Sequence, residues 1–143
     1  MTFHTIIIVG RLGRDPEMRY TNTGQAVTTF SVATDRKFTA SDGQQKKVTT
    51  WFNVTVWGKQ AENCNTFLHK GQMVLVEGGL RADEQSGGPR VFQRSDGTPG
   101  AKFEITAQNV RFLSAKTDGQ DTGAVGEEPE GMAASTGGDD IPF

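Results

Sequence analysis

The sequence predicts an all-β domain: a small five-stranded Greek-key barrel with one helix between its third and fourth strands, followed by a disordered acidic C-terminal tail. Three observations carry this. Segments rich in Val, Ile, Thr and aromatics alternate with period two and are bounded by Gly, Asp, Asn and Pro. Between Lys59 and Lys70 alone, the apolar period lengthens to three and four residues. After Ala115 core-forming residues almost vanish until the last three positions. At 143 residues, 34% hydrophobic and 22% charged, the chain suits one core plus something unfolded.

The first strand runs from His4 to Leu12, rich in β-branched residues, and Gly13-Arg14-Asp15-Pro16 turns the chain because Pro presets its φ and Asp bonds its own backbone. Ala26 to Thr34 is the second strand, with Val27, Thr29, Ser31 and Ala33 alternating against Ala26, Thr28, Phe30 and Val32. A hairpin tip at Ser41-Asp42-Gly43 leads into the third strand, Val48 to Trp57. On it, Trp51 and Trp57 are an even number of residues apart and share a face with Thr49, Asn53 and Thr55. The other face carries Val48, Thr50, Phe52, Val54 and Val56, a sufficient core stripe without the indoles, so the tryptophans should look outward.

Ala61, Cys64, Phe67 and Leu68 then mark a short amphipathic helix, with Gly71 placed where a left-handed cap is wanted. Gln72 to Arg81 is the fourth strand, bent or bulged at Gly78-Gly79. Ala101 to Leu113 is the fifth, and its apolar phase slips near Gln108-Asn109, where a second bulge is expected. The turn-rich stretch from Asp83 to Gly100 reads as a projecting, mobile loop. Five strands with a helix between the third and fourth is the element order of an OB-fold, whose curved face commonly holds oligonucleotides.

Charge divides the chain. Residues 1–115 hold 14 Lys and Arg against 10 Asp and Glu, net +4, whereas residues 116–143 hold 1 against 7, net −6. The basic body is suited to a polyanion, and the acidic tail hides this in the overall charge of −2. Residues 1–115 should therefore be the binding domain and 116–138 a flexible linker that cannot bury enough apolar surface to offset its ordering entropy. Residues 139–143 are expected to be an interaction tip, because Ile141 and Phe143 beside the terminal carboxylate are what a merely solubilising acidic tail, the competing reading, would avoid. No apolar run reaches the roughly 18 residues of a membrane helix, and none suits a secretion signal, so a cytoplasmic protein without a membrane partner is expected.

The outward indoles, with Lys59 just past Gly58, offer what unpaired bases require: aromatic faces to stack on and cations for phosphate. Packing in a subunit interface or beneath a loop is the competing reading, because large aromatics are mostly buried. Phe38, just outside a strand, either joins them or closes the barrel end. The cations nearest the aromatics gain most from a phosphate role, Lys59, Lys70 and Arg81 first; Arg11, Arg14, Arg19, Arg36, Lys37, Lys46 and Lys47 have the ordinary solvated-charge reading beside the phosphate one, and of these Arg11 and Arg19 are kept as DNA-binding candidates. Cys64 belongs to the apolar helix face and reads as a buried structural thiol. His4 and His69 lack companions at metal spacing, and no phosphate-cradling Gly-Lys-Ser/Thr loop or Ser/His/Asp arrangement stands out; no enzyme, metal or cofactor is expected.

The runs Val9-Gly10-Arg11-Leu12-Gly13-Arg14-Asp15-Pro16-Glu17-Met18-Arg19-Tyr20, Trp57-Gly58-Lys59, Lys70-Gly71, Val76-Glu77-Gly78 and Leu80-Arg81, with Trp51 and the terminal Asp139-Asp140-Ile141-Pro142-Phe143, resemble the bacterial single-stranded DNA-binding proteins. The likeness covers residues 4–113 and the last five. It implies a homotetrameric OB-fold that wraps single-stranded DNA without sequence preference during replication, recombination and repair, at the nucleoid. It further implies stacking by Phe38, Trp51 and Trp57, cations Arg19, Lys59, Lys70 and Arg81 along the DNA path, and a tip, Asp139, Asp140, Ile141, Pro142 and Phe143, that recruits genome-maintenance proteins. One stretch departs from the pattern. Many relatives follow the Leu-Arg pair with basic residues and another tryptophan, where this chain has Ala82-Asp83-Glu84-Gln85. Phe92, with Arg90 and Arg94 in the same segment, is expected to take over that role. An RNA-binding OB-fold, a nuclease on the same scaffold and an adaptor using only its tail are the competing functions.

Overall fold

Alternation along each strand sends every second side chain inward, and closing the sheet turns those inward stripes into one core. The computed structural model describes residues 1–113. The linker 116–138 and the tip Asp139 to Phe143 lie outside the described residues. In chain order the elements are β1 (Ile6–Leu12), β2 (Glu17–Tyr20), β3 (Ala26–Thr39), β4 (Gln45–Trp57), α1 (Lys59–Phe67), β5 (Met73–Leu80), β6 (Arg90–Gln93) and β7 (Pro99–Phe112). Five of them form the barrel in the order β1-β5-β7-β4-β3, and pairing of Arg11 with Ala33 and Leu12 with Val32 joins β1 back to β3. The β4–β7 contact is parallel and the other barrel pairings are antiparallel. This is the OB-fold barrel, with its helix between the third and fourth barrel strands.

Phe30, Val32, Val54, Val56, Val74, Val76 and Ile105 fill the interior, and α1 adds Ala61 and Cys64, with Leu68 just beyond its end. Each such aliphatic or aromatic side chain contributes on the order of 1.5–3 kcal/mol by leaving water. The buried Thr28 hydroxyl donates to the Ala61 carbonyl at 2.6 Å, which ties helix to sheet and satisfies the hydroxyl.

Several expectations are corrected. Two extra strands, β2 and β6, flank the five. Each is a four-residue strand that no alternation announces; β2 forms a hairpin with β3, and β6 lies back on β7. The segment from Asp83 to Gly100 is thus not an irregular loop but β6 between two turns, which Asp83 and Asp96 hold by accepting from Ser86 and Thr98. The helix stops at Phe67 because Leu68 is extended, so Gly71 is not its cap. Instead Gly71, at φ 88°, turns the chain onto β1 and donates to the Leu12 carbonyl at 2.8 Å. Phe67 is not on the buried helix face; it is 53% exposed and tilts against Phe112 at 6.3 Å. Val48 is exposed, because β3 and β4 run on past the barrel as a two-stranded ribbon that no other described residue packs beneath. The bulges expected at Gly78 and near Gln108 are one feature: Glu77 pairs with Asn109 and Gly78 with Ala107, leaving Gln108 as the extra residue. Among the described residues no helix is long and apolar enough to cross a membrane.

Candidate nucleic-acid interface

Directly opposed residues in an antiparallel ladder share a face, so register alone places the cations and aromatics. Arg11 on β1 is opposite Ala33 on β3, which is opposite Trp51 on β4. Arg19 on β2 is opposite Val27 on β3, which is opposite Trp57 on β4. Each row spans three strands on the outer surface and sets one arginine and one indole either side of a smaller residue. Trp51 is 52% exposed and Trp57 44% exposed, and the six-residue step along β4 separates the rows by about 20 Å. The two rows together make a platform with paired stacking faces and charges.

Two loops finish the Trp51 row. The guanidinium of Arg11 donates to the Gly71 carbonyl at 3.0 Å, and the Lys70 amide donates to the Asp15 carboxylate at 2.8 Å, so Arg11 and Lys70 are drawn to one end of the barrel. The Trp51 ring rests on Gly13, where a Cβ would come within 2.7 Å of its Cη2. A groove of about 410 Å³ opens beside the ring, lined by Arg11, Ala33, Asp35, Trp51 and Gly71 among others. Lys59 stands two residues after Trp57 at the start of α1, exposed, its ammonium 3.2 Å from Glu62. At that exposure the pair is weak and the cation stays available.

Phe38 lies within β3, not outside a strand, and is opposite Lys46. The ladder runs without a bulge from Val27 to Thr39, so even-numbered residues face away from the odd-numbered ones. Phe38 therefore shares a face with Arg36, whose guanidinium sits 5.6 Å from its ring, and does not share that of Trp51 and Trp57.

A second charged region surrounds β6. Arg81 and Arg90 line a groove of about 440 Å³ with the Asp83-Glu84-Gln85 stretch. Hydrogen bonds from the Ser86 amide and hydroxyl, and then the Gln85 amide, hold the Asp83 carboxyl below its ordinary value, so this acid acts as a turn former. Phe92 is half-buried against Gly100, and the Lys102 ammonium lies 4.4 Å from its ring centroid. Arg90 is directly opposite Lys102, a like-charge pair that an intervening anion would relieve. Lys102 and Gly13 escaped the sequence reading. The β6–β7 register that brings Lys102 to Phe92, and the fold that lays Trp51 on the turn after β1, leave no local signal. Among the described residues no group of His, Cys, Asp and Glu could hold a metal ion. Cys64 is buried on the helix, where burial pushes its thiol up to about 12.

Residues 3–113 match the sequence profile of the Single-strand binding protein family. The chain belongs to that family. It is 36% identical over 118 residues to the single-stranded DNA-binding protein of Neisseria meningitidis, covering 82% of this chain and 64% of the relative. It is 40% identical over 116 residues to single-stranded DNA-binding protein A of Bacillus subtilis, covering 80% of this chain and 61% of that one. The chain thus spans somewhat less than two thirds of these relatives' lengths. The fold is similar to the Plasmodium falciparum SSB complex with ssDNA, at a TM-score of 0.64 and 25% identity, covering 80% of this chain and 97% of the other. Single-strand binding family membership places the chain among non-enzymatic binding proteins.

Proposed function

We propose that this chain binds single-stranded DNA without reading its sequence, stacking bases on Trp51 and Trp57 and holding phosphates with Arg11, Arg19, Lys59, Lys70, Arg81 and Arg90. The observation that carries this is the pair of cross-strand rows, each joining an exposed indole to an arginine on one outer surface. Stacking is worth roughly 1–3 kcal/mol per base and accepts any base, so a few rings suffice for tight, sequence-tolerant binding. Family membership and the likeness to an ssDNA complex support the same ligand. Phe92 extends the path across the β6–β7 hairpin, whereas a strand would reach Phe38 only by crossing to the other face of the ribbon.

The assembly we propose is a homotetramer. Ile7 and Val9, at 62% and 48% exposure on the outer face of β1 beside Leu75, are the apolar surface that association would cover. The tip, Asp139 to Phe143, is proposed to dock replication, recombination and repair proteins at the nucleoid, its apolar residues entering a pocket rimmed by cations. Fluorescence titration with poly(dT) tests the central claim. Quenching that saturates at a definite number of nucleotides per protomer is expected; indole emission indifferent to the polymer would overturn it.

A further inference from the structure

The groove beside Trp51 holds one residue that a purely phosphate-directed surface would avoid. Asp35 lines it together with Arg11, Ala33, Thr34, Trp51 and Met73. Ala33 is directly opposite Trp51, and Asp35, two residues on and facing the same way, is opposite Thr49. Asp35 and Trp51 are therefore diagonal neighbours, their backbones about 7–8 Å apart, flanked by the small side chains of Ala33 and Thr49. That gap suits one nucleobase laid against the indole with its edge toward the carboxylate.

The carboxylate is held in place. The Thr49 hydroxyl donates to Oδ1 at 2.7 Å and the Lys47 ammonium lies 3.2 Å from Oδ2. These two contacts occupy half of the roughly four acceptor sites an ionised carboxylate offers. The Thr49 hydrogen bond, then Lys47, lowers the carboxyl from its ordinary value, so at neutral pH it accepts hydrogen bonds and donates none. Such a group is satisfied by the exocyclic amino group of cytosine or adenine, whereas an unpaired thymine offers it only the N3–H, flanked on both sides by the O2 and O4 carbonyls that repel it.

Resting on the reading of this surface as a single-strand platform, we propose that Asp35 is a base-edge acceptor that biases the Trp51 site toward amino-bearing bases. Binding is then sequence-tolerant but not uniform. A carboxylate that merely braced the ribbon through Lys47 and Thr49 would leave base preference untouched and would weaken every strand alike by repelling phosphate.

The test is fluorescence titration of the full chain, with Asp35→Asn and Asp35→Ala variants, against oligo(dC) and oligo(dT) of equal length at neutral pH. Removing the charge should leave oligo(dT) affinity equal or higher in both variants. The affinity for oligo(dC) relative to oligo(dT) should fall roughly three- to tenfold. A ratio unchanged in both variants, whatever happens to absolute affinity, overturns the proposal and leaves the single-strand reading standing. Wild-type protein that binds neither oligomer removes both.

Discussion

Trp51 owes its position to a residue it does not pair with. Its ring occupies the space above Gly13 that a Cβ would take, and of the two the half-exposed indole is the one free to move. Gly13→Ala should swing the indole away, shifting Trp51 emission in a Trp57→Phe background and weakening poly(dT) binding by about 1–3 kcal/mol, the worth of one stacked base. Unchanged emission and affinity would show that the contact does not position the ring. Cys64 is the residue-scale contrast, a buried group with no ligand. Its thiol is raised from an ordinary 9.0 to about 12 by burial. Below pH 9 both folded and unfolded chains keep the proton and the stabilisation is full. Between pH 9 and 12 the unfolded chain releases the proton while the folded one retains it, so stability declines as pH rises, at most about 1.4 kcal/mol per pH unit. Thermal melts should show that decline flattened in Cys64→Ala.

At the scale of elements, β6 changes what the region after Leu80-Arg81 does. A strand four residues long pairs with β7 from Arg90 against Lys102 to Gln93 against Pro99, so the cations stand on a hairpin instead of a wandering loop. Lys102 rests on the Phe92 ring, which both positions the cation and covers part of the stacking surface. Phe92→Ala should free Lys102, weaken binding and reduce the number of nucleotides occluded at several salt concentrations. Lys102→Gln should lower the slope of log affinity against log salt by about 0.7, the share of one single-strand phosphate. If both variants matched wild type in affinity, site size and salt slope, the hairpin would lie off the DNA path.

At the scale of the whole molecule, charge and association decide behaviour. A body of net +4 tethered to a segment of net −6 sets two anions in competition for one basic surface. Deleting residues 117–143 should tighten DNA binding at low salt and lose the difference as screening rises, measured by titration across ionic strengths. Removing Ile141 to Phe143 alone should abolish capture of repair proteins in a pull-down while sparing DNA affinity; retained partners would refute the tip's role. If the proposed tetramer forms through the exposed apolar face of β1, Ile7→Asp should shift sedimentation towards smaller species without unfolding the barrel.

The sequence by itself determined the barrel class, the helix position, the outward indoles and the charge division between body and tail. Those are properties of periodicity and composition, and they survive without knowing what pairs with what. Even the bulge opposite Gly78 was legible, as a phase slip in the apolar pattern near Gln108. Only the tertiary structure decided which residues face one another across strands. Arg11 in one row with Trp51, Arg19 in one row with Trp57, Lys102 over Phe92 and Asp35 in the Trp51 groove all follow from register. Register is set by long-range closure, and shifting it by one residue would move every side chain to the opposite face while leaving the local text unchanged.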